Sequence, residues 1–177
     1  MEEIELKFRP AAPAALRRRL LRLGFRVVCA RRREVNWIFD DTGGTLRARG
    51  RLLRLRRSGA AWMLTAKGPR RPGPLKRRQE RETVVADGAA CRKLLELLGY
   101  RATLRYRRWR TDFRRRGEAG EVAWDETRLG IFIELEGSAR WVRATAAQLG
   151  LDPAQAEPRS YPELYAAAGT ISSAEGP

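Results

Sequence analysis

The feature that most constrains this chain is a recurring set of segments with an apolar and an ionic side. Residues 2–8 alternate strictly: Glu3, Glu5 and Lys7 point one way, Ile4, Leu6 and Phe8 the other. That is the period of a β-strand. Leu53 and Leu55 alternate with Arg54 and Arg56, and Trp62, Leu64 and Ala66 with Met63, Thr65 and Lys67. Residues 78–85 put Arg78, Glu80 and Glu82 on one face, and 101–113 put Arg108 and Arg110 together. Asp125 stands between apolar neighbours in 121–127, and Ile131, Ile133 and Leu135 oppose Phe132, Glu134 and Glu136. A half-exposed antiparallel sheet accounts for any one of these strands. The joint pattern asks for more. Glu3/Glu5, Glu80/Glu82 and Glu134/Glu136 repeat acid-x-acid, while Arg54/Arg56 and Arg108/Arg110 repeat base-x-base. Carboxylates two apart on a strand share a side, with about 7 Å between their Cα atoms. They repel unless a cation or a base sits between them.

Oxygen-only clusters of this kind suit Mg²⁺ or Mn²⁺, held by a few carboxylates together with substrate phosphates. Arginine forks match phosphate oxygens in paired hydrogen bonds. The sequence therefore offers both halves of a metal–triphosphate site. In a closed barrel both would line one lumen, with the apolar outer face packed on helices. The chain has no histidine, which excludes Ser-His-Asp and Cys-His triads and every His-ligated metal. Its two cysteines, Cys29 and Cys91, are too few for a disulfide scaffold and are expected to be reduced, buried small hydrophobes.

Between the strands, residues 14–23 carry Leu16, Leu20 and Leu23 on one helical stripe, closed by Gly24. Extended segments are expected near 25–30 and 33–39, a turn at Asp40-Asp41-Thr42-Gly43-Gly44, and a strand over 46–57. Pro69–Pro74 reads as a flexible basic rim, whose Arg70 and Arg71, with Lys76, are expected to steer anions to the barrel mouth. A second helix over 89–98 has Leu94, Leu95 and Leu98 as its apolar stripe. Ser138 caps a third, with Trp141, Val142 and Leu149 inward, and a short last helix starts near Ser160. Trp62, Trp109, Trp124 and Trp141 read as packing residues. Leu23-Gly24-Phe25-Arg26 is echoed by Leu98-Gly99-Tyr100-Arg101. With 177 residues, the chain is expected to form one domain over 1–170, followed by a frayed tail at 171–177. No run of about 18 apolar residues and no basic leader stand in the sequence, so a cytoplasmic protein is expected.

Glu3-Ile4-Glu5-Leu6-Lys7 resembles the E-x-E-x-K signature of the CYTH family, the triphosphate tunnel metalloenzymes. Leu53-Arg54-Leu55-Arg56, Thr65-Ala66-Lys67-Gly68, Arg78-Gln79-Glu80-Arg81-Glu82, Asp125, Leu129 to Glu136 and Arg159-Ser160-Tyr161 follow in the family's order across 2–165. The resemblance implies a closed antiparallel eight-stranded barrel with helices outside, an α+β fold. It implies Mg²⁺ or Mn²⁺ held by Glu3, Glu5, Glu134 and Glu136, with Asp125 close by or in the same shell. The phosphate chain would lie on Lys7, Arg54, Arg56, Lys67, Arg78, Arg108 and Arg110. Lys7, Glu80 and Glu82 would be the catalytic residues, the two acids orienting the bases or assisting a second metal. The family often has lysine where Arg108 stands, which leaves the register of 105–110 open.

Two reactions fit such a site: attack of water on a terminal phosphorus, and attack of the ribose 3′-hydroxyl of ATP on the α-phosphorus to give cyclic AMP and pyrophosphate. The family contains both, as triphosphatases and class IV adenylate cyclases. No residue pattern isolates a base-and-ribose pocket, so hydrolysis of tripolyphosphate, thiamine triphosphate or a nucleoside triphosphate leads, with the cyclase as alternative. A net charge of +16 also raises an RNA- or polyphosphate-binding barrel. Seven carboxylates on the ionic faces would repel a nucleic-acid backbone, so the expected partner is a small triphosphate, neither a membrane nor nucleic acid, bound by a monomer or homodimer.

Overall fold

The computed structural model describes residues 2–72 and 75–169, the side chains of Glu2 and Glu3 excepted. Gly73, Pro74 and the expected tail at 171–177 lie outside the described residues. Among the described residues, eight strands form one antiparallel sheet: β1 (Glu2–Phe8), β2 (Arg26–Asp40), β3 (Leu52–Ser58), β4 (Ala61–Lys67), β5 (Lys76–Val85), β6 (Arg101–Arg114), β7 (Glu121–Thr127) and β8 (Gly130–Glu136). The sheet closes into a barrel in the order β1-β5-β4-β3-β2-β6-β7-β8. Lys7 stands opposite Glu134, Lys67 opposite Glu80, Arg54 opposite Thr65, Glu34 opposite Arg108, and Arg110 opposite Asp125. Directly opposed residues share a face of the sheet. The register therefore turns every ionic face into the lumen and leaves the apolar faces outside.

Helices cover that apolar exterior. Leu16 and Leu20 of α1 (Pro13–Arg22) and Val142, Ala146 and Leu149 of α4 (Ala139–Leu149) pack on Leu6, Phe8, Trp124, Ile133 and Leu135. Cys91 and Leu95 of α3 (Gly88–Leu97) pack on Trp37, Phe39 and Leu55. The α3 start lies so close to the wall that a Cβ on Gly88 would fall 2.0 Å from the Trp62 ring. The echoed tetrapeptides are built alike: each glycine, Gly24 at φ 89° and Gly99 at φ 88°, ends a helix in the left-handed region and launches β2 or β6. Those two strands pair with each other.

The last helix, α5 (Tyr161–Ala167), is placed differently from the others. Its Tyr161, Leu164 and Tyr165 pack on Ile38, Leu104, Tyr106 and Phe132, which point inward by register. The ionic lining thus stops short of one end of the barrel, where apolar inward residues let α5 cover the opening.

Four local expectations change. Instead of a strand from 46, a short helix α2 (Thr45–Ala48) precedes β3. Asp40 accepts from the Leu46 N–H at 2.8 Å and the Arg47 N–H at 3.0 Å, and Asp41 from the Thr45 N–H at 3.0 Å, capping that helix. The segments 25–30 and 33–39 are one strand, β2, interrupted by register shifts. Leu94 and Leu98 are 60% and 72% exposed, because α3 faces the sheet through Cys91 and Leu95. Trp109 is 40% exposed and Cys29 half-buried, so neither is a core residue.

Candidate functional site

The lumen holds a cavity of about 450 Å³. Eight bases line it, Lys7, Arg32, Arg54, Arg56, Lys67, Arg78, Arg108 and Arg110, against seven acids, Glu5, Glu80, Glu82, Asp112, Glu121, Glu134 and Glu136. The tunnel is thus close to charge-balanced although the chain is not. These residues come from all eight strands, and strand alternation alone delivers them to one space.

One wall is a buried clamp. Arg108 donates from Nε to Glu34 at 2.8 Å and from Nη1 to Asp125 at 2.9 Å. Arg110 donates to both Asp125 oxygens, at 2.7 and 2.6 Å, and to Glu134. The Tyr161 hydroxyl of α5 donates to Asp125 Oδ2 at 2.6 Å. Burial alone would raise the Glu34 carboxyl, but Arg108, Arg110 and Arg56 hold it well below the usual carboxylate range. Burial works against the Arg108 and Arg110 charges as well, yet Asp125 and the glutamates carry both above the ordinary arginine value. Burial and the charge of Asp125 keep the Tyr161 phenol protonated. Both oxygens of Asp125 are therefore engaged by guanidinium and phenol donors, whereas the family resemblance places this residue in or beside the metal shell.

The wall of β3, β4 and β5 is held more loosely. Arg54 lies 3.2 Å from Glu82 and 4.0 Å from Glu80, and Arg56 lies 3.7 Å from Glu82 and 3.9 Å from Glu34. Lys67 pairs with Glu80 at 2.7 Å, and the Thr65 hydroxyl donates to Glu82 at 2.7 Å. Burial, with neighbouring Arg54, draws Arg56 down to about 10. It stays charged at neutral pH and underpaired, which suits a guanidinium that awaits an anion. Arg78 lines the same cavity.

The third region is acidic. Glu5 faces Glu136 across the β1–β8 pair, and Glu136 in turn faces Glu121 of β7. Opposed like charges on neighbouring strands are destabilising without a cation. Lys76 supplies one, its Nζ 3.0 Å from Glu5. Lys7 lies 3.1 Å from Glu134 and 4.0 Å above the Tyr161 ring. Burial would raise Glu134, but Lys7, Arg110 and Arg108 hold it well below its usual range. The donor chemistry, carboxylate oxygens on adjacent strands, fits a hard divalent cation. As they stand, no three acidic side chains among the described residues are gathered closely enough to hold one. The Glu3 side chain, the expected fourth ligand, lies outside the described residues.

Lys7, Glu5, Arg54, Arg56, Lys67, Arg78, Glu80, Glu82, Arg108, Arg110, Glu134 and Glu136 thus share one cavity, with Asp125 buried behind Arg108 and Arg110. Lys76, expected on the rim, is a lumen residue. Arg70, expected to steer anions, donates to the Pro158 carbonyl at 2.7 Å and to Glu163 at 2.6 Å. Sequence reasoning missed Arg32, Glu34, Asn36, Asp112 and Glu121, and the part played by Tyr161 in the clamp. Once β2 and β6 are paired, their register gives four of these: Arg32 opposite Arg110, Glu34 opposite Arg108, Asn36 opposite Tyr106, and Asp112 on the Arg108/Arg110 face.

The family model of the CYTH domain matches residues 1–161. Among solved structures, a candidate adenylate cyclase from Vibrio parahaemolyticus is 25% identical at a TM-score of 0.81, covering 93% of this chain and 97% of its own. A protein from Pyrococcus horikoshii is 21% identical at a TM-score of 0.77, covering 92% and 98%. A candidate adenylyl cyclase from Hippeastrum, described as having a dominant triphosphatase activity, is 16% identical at a TM-score of 0.69, covering 94% and 95%. No curated protein matches the chain significantly. No described helix is long and apolar enough to cross a membrane.

Proposed function

Because this chain belongs to the CYTH family, we propose that it is a divalent-metal-dependent phosphohydrolase of small triphosphate compounds, with Mg²⁺ or Mn²⁺ as cofactor. The observation that carries this reading is the convergence of two underpaired arginines, Arg54 and Arg56, with Lys7, Lys67, Arg78, Arg108 and Arg110 on one enclosed cavity of about 450 Å³. Chained phosphates need cations on several sides, and guanidinium forks meet them in pairs.

Arg54, Arg56, Lys67 and Arg78 bind and straighten the phosphate chain. Glu80 and Glu82 hold those bases in place and release them as phosphate oxygens take over their hydrogen bonds. Arg108 and Arg110, fixed by Asp125 and Glu34, present a rigid cationic surface to charge that develops on the reacting phosphoryl group. Lys7, between Glu134 and the Tyr161 ring, is the catalytic cation nearest the acidic end. Glu3, Glu5, Glu134 and Glu136 would hold the cation, which supplies further neutralisation of the phosphate oxygens when bound. Phosphoryl transfer through a loose transition state depends mainly on positioning and electrostatics. The tunnel provides both, and its cavity leaves room for a water to reach the terminal phosphorus.

A second reading, cyclisation of ATP, is favoured by the name of the Vibrio parahaemolyticus relative. Cyclisation needs a surface that holds the base while the ribose bends back. The aromatic residues on the cavity wall are Tyr106 and Tyr161. Both are buried, 5.9 Å apart ring to ring, and Tyr106 stacks on Tyr165 at 5.1 Å. Neither offers a face to adenine, and hydrolysis is the better fit. The test supplies tripolyphosphate, thiamine triphosphate and ATP separately with Mg²⁺ or Mn²⁺ and identifies every product. Metal-dependent release of orthophosphate is expected. Cyclic AMP with pyrophosphate from ATP, or no turnover of any of the three, overturns the proposal.

A further inference from the structure

The charge balance of the tunnel poses a question that the tunnel does not answer. Its lining holds eight bases against seven acids, and the associated Lys76, Glu34 and Asp125 bring both to nine. Essentially all of the net +16 therefore lies on the outer surface. Much of it is scattered, and scattered charge is ordinary solvated surface. One face is different.

The pairing of β7 with β6 ends at Arg108 opposite Thr127, and the chain turns away into β8. The first half of β6 continues without it. The notch between β6, the turn after Thr127 and Tyr165 of α5 is a cavity of about 630 Å³, lined by Arg105, Arg107, Arg128, Trp109 and Glu126 and by Tyr106 and Arg108, which also line the tunnel. Arg33 and Arg57 extend this surface across β2 and β3: Arg33 stands opposite Trp109, and Val35 stands between Arg107 and Arg57. Arg33, Arg57, Arg107 and Arg128 are exposed, and none makes an ion pair with a described residue. Burial and the charges of Arg107 and Arg33 lower the Arg105 guanidinium, a sign of how closely the like charges crowd. The acid of the notch, Glu126, is taken by Arg31 in two hydrogen bonds of 3.0 and 2.9 Å. Arg31 also lies 4.0 Å over the Trp109 ring. The indole is thereby held in place and still 40% exposed.

We propose that this outer face, with Arg33, Arg57, Arg107 and Arg128 around Trp109, is a binding site for single-stranded nucleic acid, outside the triphosphate tunnel. Neighbouring strands lie about 4.8 Å apart and same-side residues about 7 Å apart, so the arginines form a close two-dimensional grid that a flexible phosphate backbone can follow. A rigid exposed indole beside such a grid supplies the stacking surface that single-strand binders use for bases. The carboxylates that would repel a nucleic acid are inside the barrel, and this face shows none unpaired among the described residues. An acidic peptide would satisfy the charges but leave the indole without a stacking partner.

The test uses the full chain, without divalent metal, and a fluorescent oligouridine of about 12 nucleotides. Its 5′ end is a hydroxyl, so no terminal triphosphate can enter the tunnel. Anisotropy is followed between about 50 and 200 mM salt. Saturable, salt-sensitive binding is expected. The Arg33→Ala/Arg107→Ala double variant should lower the slope of log K against log salt by about 1.4, at roughly 0.7 per lost phosphate contact. Trp109→Ala should weaken binding about tenfold. Thermal unfolding and tripolyphosphate turnover should match the parent protein in both. No binding at the lowest salt, or an unchanged slope in the double variant, overturns the proposal. So does loss of binding when excess tripolyphosphate fills the tunnel, or equal competition by polyglutamate.

Discussion

The two cationic walls of the tunnel are built from the same residue types and held in opposite ways. Arg108 is buried and Arg110 half-buried, and each reaches Asp125 at 2.6–2.9 Å. Arg54 and Arg56 stand in the cavity with carboxylates at 3.2–4.0 Å. In the first wall both oxygens of Asp125 are engaged at hydrogen-bonding distance before anything binds, so the wall is a frame. In the second the pairs are longer, at 3.2–4.0 Å, so an incoming phosphate has weaker contacts to displace. The difference teaches that basic residues in one lumen are not equivalent: one pair is already fixed, and under the proposed function the other receives the phosphate chain.

The largest effect is expected from Asp125→Ala. It leaves two buried guanidiniums and the Tyr161 hydroxyl without their common acceptor, at about 3–5 kcal/mol. Denaturant unfolding measures this, and a loss below about 1 kcal/mol would show that the frame does not depend on Asp125. Glu134→Gln should cut turnover about a hundredfold or more while circular dichroism stays native, since it removes a proposed metal ligand and a partner of Lys7 and Arg110. Arg54→Ala and Arg56→Ala should raise KM about tenfold each, the worth of a charge-assisted hydrogen bond, and shift stability by less than about 1 kcal/mol. If they unfold the protein as Asp125→Ala does, the contrast between the walls is wrong.

Acid probes the frame through Glu34. Its folded pKa is depressed, so its contribution is complete above the unfolded value of about 4.3. That contribution is lost as pH falls below that value toward the folded one. Stability should be flat near neutrality and decline below about pH 4.3, and more gently in Glu34→Gln at equal starting stability; identical acid slopes would assign the decline to other carboxylates. The smallest effect on activity should come from Asp40→Ala, which removes the α2 cap outside both walls. It should cost about 1–2 kcal/mol in thermal unfolding without moving KM.

The sequence displayed the barrel's ionic strands because period-two alternation survives wherever a strand runs straight, as in 2–8 or 131–136. It hid the partners on β2. Register shifts between Val27 and Cys29 and between Cys29 and Arg32 break the alternation just before Glu34, so its face could be assigned only once β6 lay beside it. The α2 helix was invisible for a local reason: two aspartates that read as a turn are also its cap. The turn of α3 about its axis was open because its leucines run almost all round, and only the packing of Cys91 and Leu95 chooses a side. Tyr161 joins the clamp across a chain separation that no spacing rule covers. The acid-x-acid and base-x-base repeats marked the lumen but could not distinguish frame from receiver, which depends on distances of a few tenths of an ångström.

The strand order also sets a schedule for assembly. β1 pairs only with β5 and β8, so the earliest strand of the barrel stays unpartnered until most of the other strands have been made. Such long-range closure is slow, and an unpaired strand edge invites association with other chains. Here the waiting strand carries Glu5 and Lys7 on its inner face. Charged side chains on an unpaired strand disfavour such association, so the residues that line the finished cavity also guard the unfinished sheet.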